Sequence, residues 1–271
     1  RNRNLADLIE SRLPPDMVAL LKFTGDLGDR LGVNVYMVGG IVRDILMERE
    51  NYDLDIVVEG DGIEFAATLS RELNGRMRPH ETFKTAVVVA EKDGKHYRID
   101  VATARLEYYD RPAALPVVEL SSIKMDLYRR DFTINALAVH LNSGEYGELE
   151  DFFGAQRDMK DRTIRVLHSL SFVEDPTRIL RAIRFEQRFG FHLAPQTERL
   201  IKNALQLHLF DKLSGSRIDH EFRLICEEIS PLACFKRLEG FDALKAVHPL
   251  LKLREDKEVI LAEMEKMDAW Y

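Results

Sequence analysis

Apolar residues recur every three to four positions through the first thirty residues. Met17, Leu20, Leu21 and Phe23 fall on one helical face that continues to Leu27 and Leu31, and Leu13-Pro14-Pro15-Asp16 breaks the pattern just before it. From Val35 the period changes. Val35-Tyr36-Met37-Val38 predicts a short strand, Gly39-Gly40 a sharp turn, and Ile41 to Met47 a helix that begins at once. Leu54 to Val58 predicts a second strand and Gly62 to Leu73 a helix. Thr85 to Ala90 and Tyr97 to Val101 predict two paired strands around a turn at Asp93-Gly94. Arg105 to Ser122 holds Pro112 and Pro116 and shows no clear period, which predicts a mobile loop. Asp131 to His140 is expected to run from helix into strand and to turn at Asn142-Ser143-Gly144.

After about Leu149 the strand signal fades. Helices are predicted over Pro176 to Phe189, Pro195 to Leu207, Ile218 to Ile229, and in a charged tail from Leu251 to Trp270. There is no internal repeat and no low-complexity segment. The pattern is an α/β head followed by an all-helical part, and 271 residues suit two domains or three small ones.

Composition narrows the function classes. No apolar run reaches the ~20 residues of a membrane helix. Cys226 and Cys234 cannot frame a disulfide scaffold, and no CxxC or HExxH offers a zinc site, so a reducing cytoplasm is the expected setting. No secretory h-region opens the chain, and the start at Arg1 rather than Met points to a fragment or a processed chain. The 39 Lys and Arg against 46 Asp and Glu give a net charge of −7, which argues against an indiscriminate DNA coat and leaves room for a local basic groove.

Tyr52-Asp53-Leu54-Asp55-Ile56-Val57-Val58 carries the most chemistry. On a strand, Asp53 and Asp55 project together while Leu54, Ile56 and Val58 pack inward. Two carboxylates side by side repel unless a cation lies between them, and Mg2+ fits, taking oxygen ligands and leaving positions for phosphates. The alternative is a pair of aspartates on a solvated face. Upstream, Gly39-Gly40 between strand and helix lets backbone N–H groups approach an anion, with Arg43 one turn in. Together these residues predict a triphosphate cradle beside a metal pair.

Asp100, in His96-Tyr97-Arg98-Ile99-Asp100-Val101, is a candidate third carboxylate, or a surface aspartate paired with Arg98. In Arg129-Arg130-Asp131-Phe132-Thr133-Ile134-Asn135-Ala136, the arginines suit phosphate. Asp131 and Asn135, four apart on a helix, suit a ribose hydroxyl; an ordinary capped helix is the other reading. Glu174-Asp175-Pro176-Thr177-Arg178 opens a helix that continues to Arg181, Arg184 and Arg188. Four arginines at spacings of three and four make either a solvated face or a stripe for an RNA backbone. A carboxylate with a guanidinium complements the amino donor and ring-nitrogen acceptor shared by cytosine and adenine, so Asp175 and Arg178 are candidate base readers, or else a helix cap with a salt bridge.

In this order, Val38-Gly39-Gly40-Ile41-Val42-Arg43-Asp44, Asp53-Leu54-Asp55, Arg129 to Ala136 and Glu174 to Arg178 with Arg181-Ala182-Ile183-Arg184-Phe185 resemble the class II tRNA nucleotidyltransferases (CCA-, CC- and A-adding enzymes) and the related bacterial poly(A) polymerases. The resemblance runs from about Val35 to Glu221. Asp151-Phe152-Phe153-Gly154 matches the family's hinge motif, and Ser216-Arg217 through Glu221 its last motif.

The resemblance implies a polymerase-β-like α/β nucleotidyltransferase head at 34–148 after a helical segment at 1–33, an all-α neck at 149–209, and part of a helical body from 210 to 271. It implies metal ligands at Asp53 and Asp55 with Asp100 as the third acid. It further implies nucleotide contacts at Gly39, Gly40, Arg43, Arg130, Asp131, Asn135, Asp175, Arg178, Arg181 and Arg184. Thr103 to Ser122 falls where the family has a flexible loop. The expected activity is template-independent addition of CMP, AMP or both from CTP and ATP to the 3′ end of tRNA, with Mg2+. A poly(A) polymerase acting on RNA ends is the alternative, and a nucleotide-sugar glycosyltransferase or a non-catalytic RNA-binding module is more remote.

Overall fold

The computed structural model describes residues 3–92, 94–108, 111–115, 117–258 and 262. They divide into two compact units, one of Arg1–Tyr108 with Val118–Arg157, the other of Tyr109–Val117 with Asp158–Tyr271.

In the first unit, α1 (Ala6–Arg12) and α2 (Pro15–Leu31) are separated at Leu13-Pro14. Proline is tolerated at the first turn of α2, where its missing N–H costs nothing. Then follow β1 (Asn34–Val38), α3 (Gly40–Leu46), β2 (Leu54–Glu59), α4 (Gly62–Glu72), β3 (Arg76–His80), β4 (Thr85–Lys92) and β5 (Lys95–Thr103). Asp61 caps α4, its carboxylate accepting from the N–H groups of Ile63 and Glu64 at 3.0 Å. After β6 (Arg105–Tyr108) and β7 (Val117–Leu120) come α5 (Ile123–Tyr128), β8 (Ala138–His140) and β9 (Leu149–Glu150), and α6 (Ala155–Lys160) follows.

Seven strands form one sheet in the order β3-β4-β5-β2-β1-β8-β9. Its pairings are antiparallel except for β2 with β5, which is parallel. Ile56, Val58, Val88, Ile99 and Val101 are buried on the sheet with Phe65 and Leu69 of α4. On α2, Gly25 is required by a close approach. A Cβ there would lie 1.8 Å from the Leu141 carbonyl oxygen.

The structure departs from the sequence expectations in three places. Arg105 to Ser122 is not simply a loop, because β6 and β7 form a two-stranded sheet. Asp131 to His140 contains no α-helix: Thr133–Asn135 is a single 3-10 turn leading to β8, and the helix lies upstream as α5. The edge strand β3 has no alternating signature, since arginines and Pro79 occupy a strand exposed at the sheet's rim. Asp93 of the expected turn, and 259–261 and 263–271 of the expected tail helix, lie outside the described residues.

The second unit holds the short pair β10 (Thr163–Ile164) and β11 (His192–Leu193), which are parallel. Its helices are α7 (Ser171–Glu174), α8 (Thr177–Phe189), α9 (Pro195–Gln206), α10 (Gly215–Cys226), α11 (Pro231–Gly240) and α12 (Ala243–Val247). Ile179, Leu180 and Ile183 of α8, Ile201 of α9, Leu238 of α11 and Leu244 of α12 are buried in its core. Cys226 and Cys234 are both free thiols, and no described helix is long and apolar enough to cross a membrane.

Candidate active site

In the first unit the parallel register pairs Asp55 of β2 with Asp100 of β5. Side chains on directly paired residues share a face, so the two carboxylates stand on one side of the sheet, away from Ile56 and Val101. They line a cavity of about 250 Å³ with Val38, Val57, Val87 and Arg130. Gly39 forms the adjacent rim at φ 77°, a left-handed conformation, and a Cβ there would meet the Arg130 guanidinium at 3.0 Å and an Asp55 carboxylate oxygen at 3.9 Å. Glycine is therefore the residue that lets backbone, cation and carboxylate converge. Gly40 opens α3 next to it.

Asp53 precedes β2 rather than sitting on it, and it is exposed. The strand alternation expected for Asp53 and Asp55 therefore does not apply, because regular pairing begins only at Leu54. Asp53 still acts on Asp55 through charge. Burial pushes the Asp55 carboxyl up to about 6, with Arg130 opposing and Asp100 and Asp53 adding to the rise. Asp100 lies 3.1 Å from the Arg98 guanidinium.

Arg130 is aimed by Asp126, which is fully buried on α5. Its carboxylate receives Arg129 at 3.1 Å and Arg130 at 3.4 Å. Arg129 is thus engaged behind the site while Arg130 lines the cavity. Asp126 carries no motif signal of its own, and its role becomes visible only when α5 is folded.

Arg43 differs from its sequence expectation. It is 4% exposed, with Nε and Nη2 donating to Asp44 at 2.8 and 2.9 Å and Nη1 donating to Asn135 Oδ1 at 2.5 Å. In this structure it braces the site instead of presenting itself to phosphate, because burial demands a partner for its charge. Asn135 donates to Asp131 at 3.0 Å, and Asn51 donates to Asp44 at 2.7 Å while accepting from the Asp53 N–H at 2.9 Å. The network runs from Asp131 to the backbone of Asp53. Asp131 and Asn135 do come together, across a 3-10 turn rather than along an α-helix, and both are buried.

In the second unit, Asp175 ends α7, and its Oδ1 accepts from the Thr177 N–H at 3.1 Å and hydroxyl at 2.6 Å, starting α8. The same oxygen accepts from Arg217 of α10 at 2.8 Å. Arg178 is 6% exposed and donates to the Ser171 hydroxyl at 2.9 Å, with Glu174 at 3.9 Å. Arg217 lies 42 residues from Asp175, so spacing gave no signal for it.

The arginine stripe expected on α8 is not an open row. Arg184 is 4% exposed and lies 3.5 Å from Glu221 and 3.4 Å from Glu228, Arg188 lies 2.5 Å from Glu228, and Arg181 lies 3.8 Å from Glu221. Arg181, Arg184 and Arg188 also stand 5.0 to 5.4 Å from the Phe185 ring centroid. Burial lowers the Arg184 pKa, and its carboxylate neighbours act the other way. The stripe is a seam between α8 and the glutamates at 221 and 228.

Residues 35–165 match the family described as the poly(A) polymerase head domain. Over its whole length the chain is 51% identical to an A-adding tRNA nucleotidyltransferase of Geobacter sulfurreducens, of which it spans 30%. The chain carries the poly(A) polymerase head domain, and its relatives are tRNA nucleotidyltransferases. It is 40% identical over 251 residues to an A-adding tRNA nucleotidyltransferase of Halalkalibacterium halodurans, a match covering 90% of this chain and 57% of that one. A solved CCA-adding enzyme in an apo form superposes with a TM-score of 0.90 at 46% identity, over 99% of this chain and 62% of that one. The chain therefore spans less than two thirds of each of these proteins. The seven-stranded unit is the polymerase-β-like α/β head of this nucleotidyltransferase family, and helices follow it.

Members of the tRNA nucleotidyltransferase family use a divalent metal ion. The head fits such an ion by its chemistry: the donors are carboxylate oxygens, and the Asp55 charge is disfavoured by burial and by its acidic neighbours until a cation offsets it. Among the described residues no three acidic, His or Cys side chains already form a closed cage.

Proposed function

We propose that the chain is a metal-dependent, template-independent nucleotidyltransferase that transfers AMP, or CMP and AMP, from the nucleoside triphosphate to the 3′ end of tRNA. The observation that carries this reading is the register pair Asp55–Asp100 beside Gly39 and Arg130. It is a carboxylate face next to a phosphate-sized opening with one cation. The names of the two A-adding relatives support AMP as the transferred group.

In the reaction, the 3′-hydroxyl oxygen of the RNA forms a bond to the α-phosphorus, the bond to the pyrophosphate oxygen breaks, and the hydroxyl proton passes to solvent. Asp53 and Asp55 would hold Mg2+, and Asp100 would join on leaving Arg98. Bound there, the ion supplies charge neutralisation at the phosphates and a lowered hydroxyl pKa. Arg130 holds triphosphate oxygens, and the Gly39-Gly40 backbone lies against them without a side chain between. Asp131, kept in place by Asn135 and Arg43, orients the ribose. In the helical unit, Asp175 accepts from the exocyclic amine of adenine or cytosine and Arg178 donates to the ring nitrogen. Guanine and uracil reverse that pattern. Free thiols and the absence of a long apolar helix among the described residues support a cytoplasmic setting.

The test is incubation with tRNA transcripts lacking CCA, ending in CC, or complete, with each NTP alone. Addition of a single AMP to the CC-ending transcript is the expected result, and no incorporation on any transcript rejects the reading. A long A-tail on unrelated RNA would favour the poly(A) polymerase alternative, which the family description of residues 35–165 also suits.

A further inference from the structure

The face that carries Asp55 continues beyond the cavity. Asp55 pairs with Asp100, Asp100 with Val87, and Val87 with Arg78, so one row of four side chains crosses β2, β5, β4 and β3 on the same side of the sheet. The neighbouring position on that side of β3 is Arg76, opposite Val89. Exposure follows the register. Arg76 and Arg78 are exposed and Val89 is 45% exposed, whereas Val88 and Ile99, one residue out of phase, are buried on the α4 side. With strands about 4.8 Å apart, Arg78 stands about 10 Å from Asp100.

Five other arginines of this unit are engaged by carboxylates: Arg30 with Glu72, Arg43 with Asp44, Arg98 with Asp100, Arg129 and Arg130 with Asp126. No carboxylate among the described residues pairs with Arg76 or Arg78. Charge on an edge strand also discourages strand-to-strand aggregation, and Pro79 contributes to that. Edge protection does not require one sign of charge on the catalytic side, in a chain whose net charge is −7.

We infer that Arg76 and Arg78 bind the phosphodiester backbone of the RNA strand whose 3′ end is extended, with the Val87–Val89 strip beneath its sugars. This rests on the nucleotidyltransferase reading above. Phosphate could come from the RNA or from the triphosphate, and the sheet order separates them. Gly39 and Arg130 lie on the β1 side of the carboxylates, and the two arginines lie on the β3 side.

The test compares the whole chain with a double Arg76→Ala, Arg78→Ala variant. A double lysine variant retains the charge, and Arg71→Ala on α4 removes one charge from behind the sheet. Anisotropy of a fluorescent tRNA transcript, without nucleotide, is followed against salt concentration. The alanine variant is expected to bind about tenfold more weakly. Its plot of log affinity against log salt should be flatter by about 1.4, at about 0.7 per phosphate contact on a single strand. The lysine variant should stay near the parent, and Arg71→Ala should leave the slope unchanged. An unchanged slope in the alanine variant overturns the inference, as does a defect confined to the KM for ATP, which would assign the arginines to the triphosphate. Binding is read without turnover, so a parent that binds RNA but incorporates nothing rejects the catalytic reading and leaves this inference standing.

Discussion

Asp55 and Asp100 are register partners across the parallel pair of strands in the seven-stranded sheet. Parallel pairing sets their side chains on one face at the same level, with 44 residues of chain between them, and makes the site's charge a property of sheet topology rather than of a local motif. Burial and the acidic neighbours keep the Asp55 carboxyl near 6. The site therefore holds a carboxylate whose charge weakens the fold until a cation offsets it.

That tension predicts opposite effects on stability and activity. Asp55→Asn removes the disfavoured charge with little change of shape. Its melting temperature in chelator at pH 7.5 should equal or exceed the parent's, and the parent alone should gain stability on adding Mg2+. Incorporation should fall more than about a hundredfold, since a metal ligand is lost. Thermal melts with and without the ion check both halves.

Arg43 gives a contrasting case. Arg43→Ala strands the buried Asp44 carboxylate and removes the support of Asn135. Breaking a buried pair from one side costs about 3–5 kcal/mol. Urea unfolding should show a loss of that size. Parental stability with a raised KM for ATP would mean that Arg43 touches phosphate instead.

The Asp175–Arg217 bond predicts a specificity defect from a residue outside the base-reading pair. Arg217→Ala removes the charged donor to Asp175 Oδ1 and leaves only the two Thr177 donors, and a hydrogen bond to a charged group contributes about 1.5–3 kcal/mol. Preference for ATP over GTP should fall roughly ten- to hundredfold in single-nucleotide incorporation, while metal dependence stays parental. Arg217→Lys should recover part of the preference.

His168 predicts a pH effect in the helical unit. Burial lowers its pKa below 6.5 and Arg178 adds to the shift, although Glu174 lies 3.3 Å from its Nε2. Burial prevails here. Because the unfolded chain takes up the proton first, stability is fully present above about 6.5 and declines as pH falls through the folded value. Between pH 7.5 and 5.5 the parent should lose more stability than His168→Gln, measured by urea midpoints at each pH.

The sequence was most legible where local rules suffice. The strand before Gly39, the turn itself, the strand carrying Asp55 and helix α8 all follow from short-range periodicity and turn chemistry. It was least legible where partners are distant. Glu228 neutralises Arg188 from 40 residues away, and Arg217 reaches Asp175 from 42, so no local spacing marks either pairing. The 3-10 turn at Thr133–Asn135 escaped because Asp131 and Asn135 satisfy helix spacing while Arg43 and Asp131 tie Asn135 into a different geometry. Strand β3 escaped because Arg76, Arg78 and Pro79 give it none of the alternation of a half-buried strand.

The most direct measurement is incorporation of labelled AMP into a tRNA transcript ending in CC, by the parent and by Asp55→Asn, with Mg2+ or with chelator. One AMP added by the parent in Mg2+, with none in chelator and none by the variant, is the result expected of a carboxylate-bound metal at this face. Incorporation that survives the chelator or the substitution would contradict it.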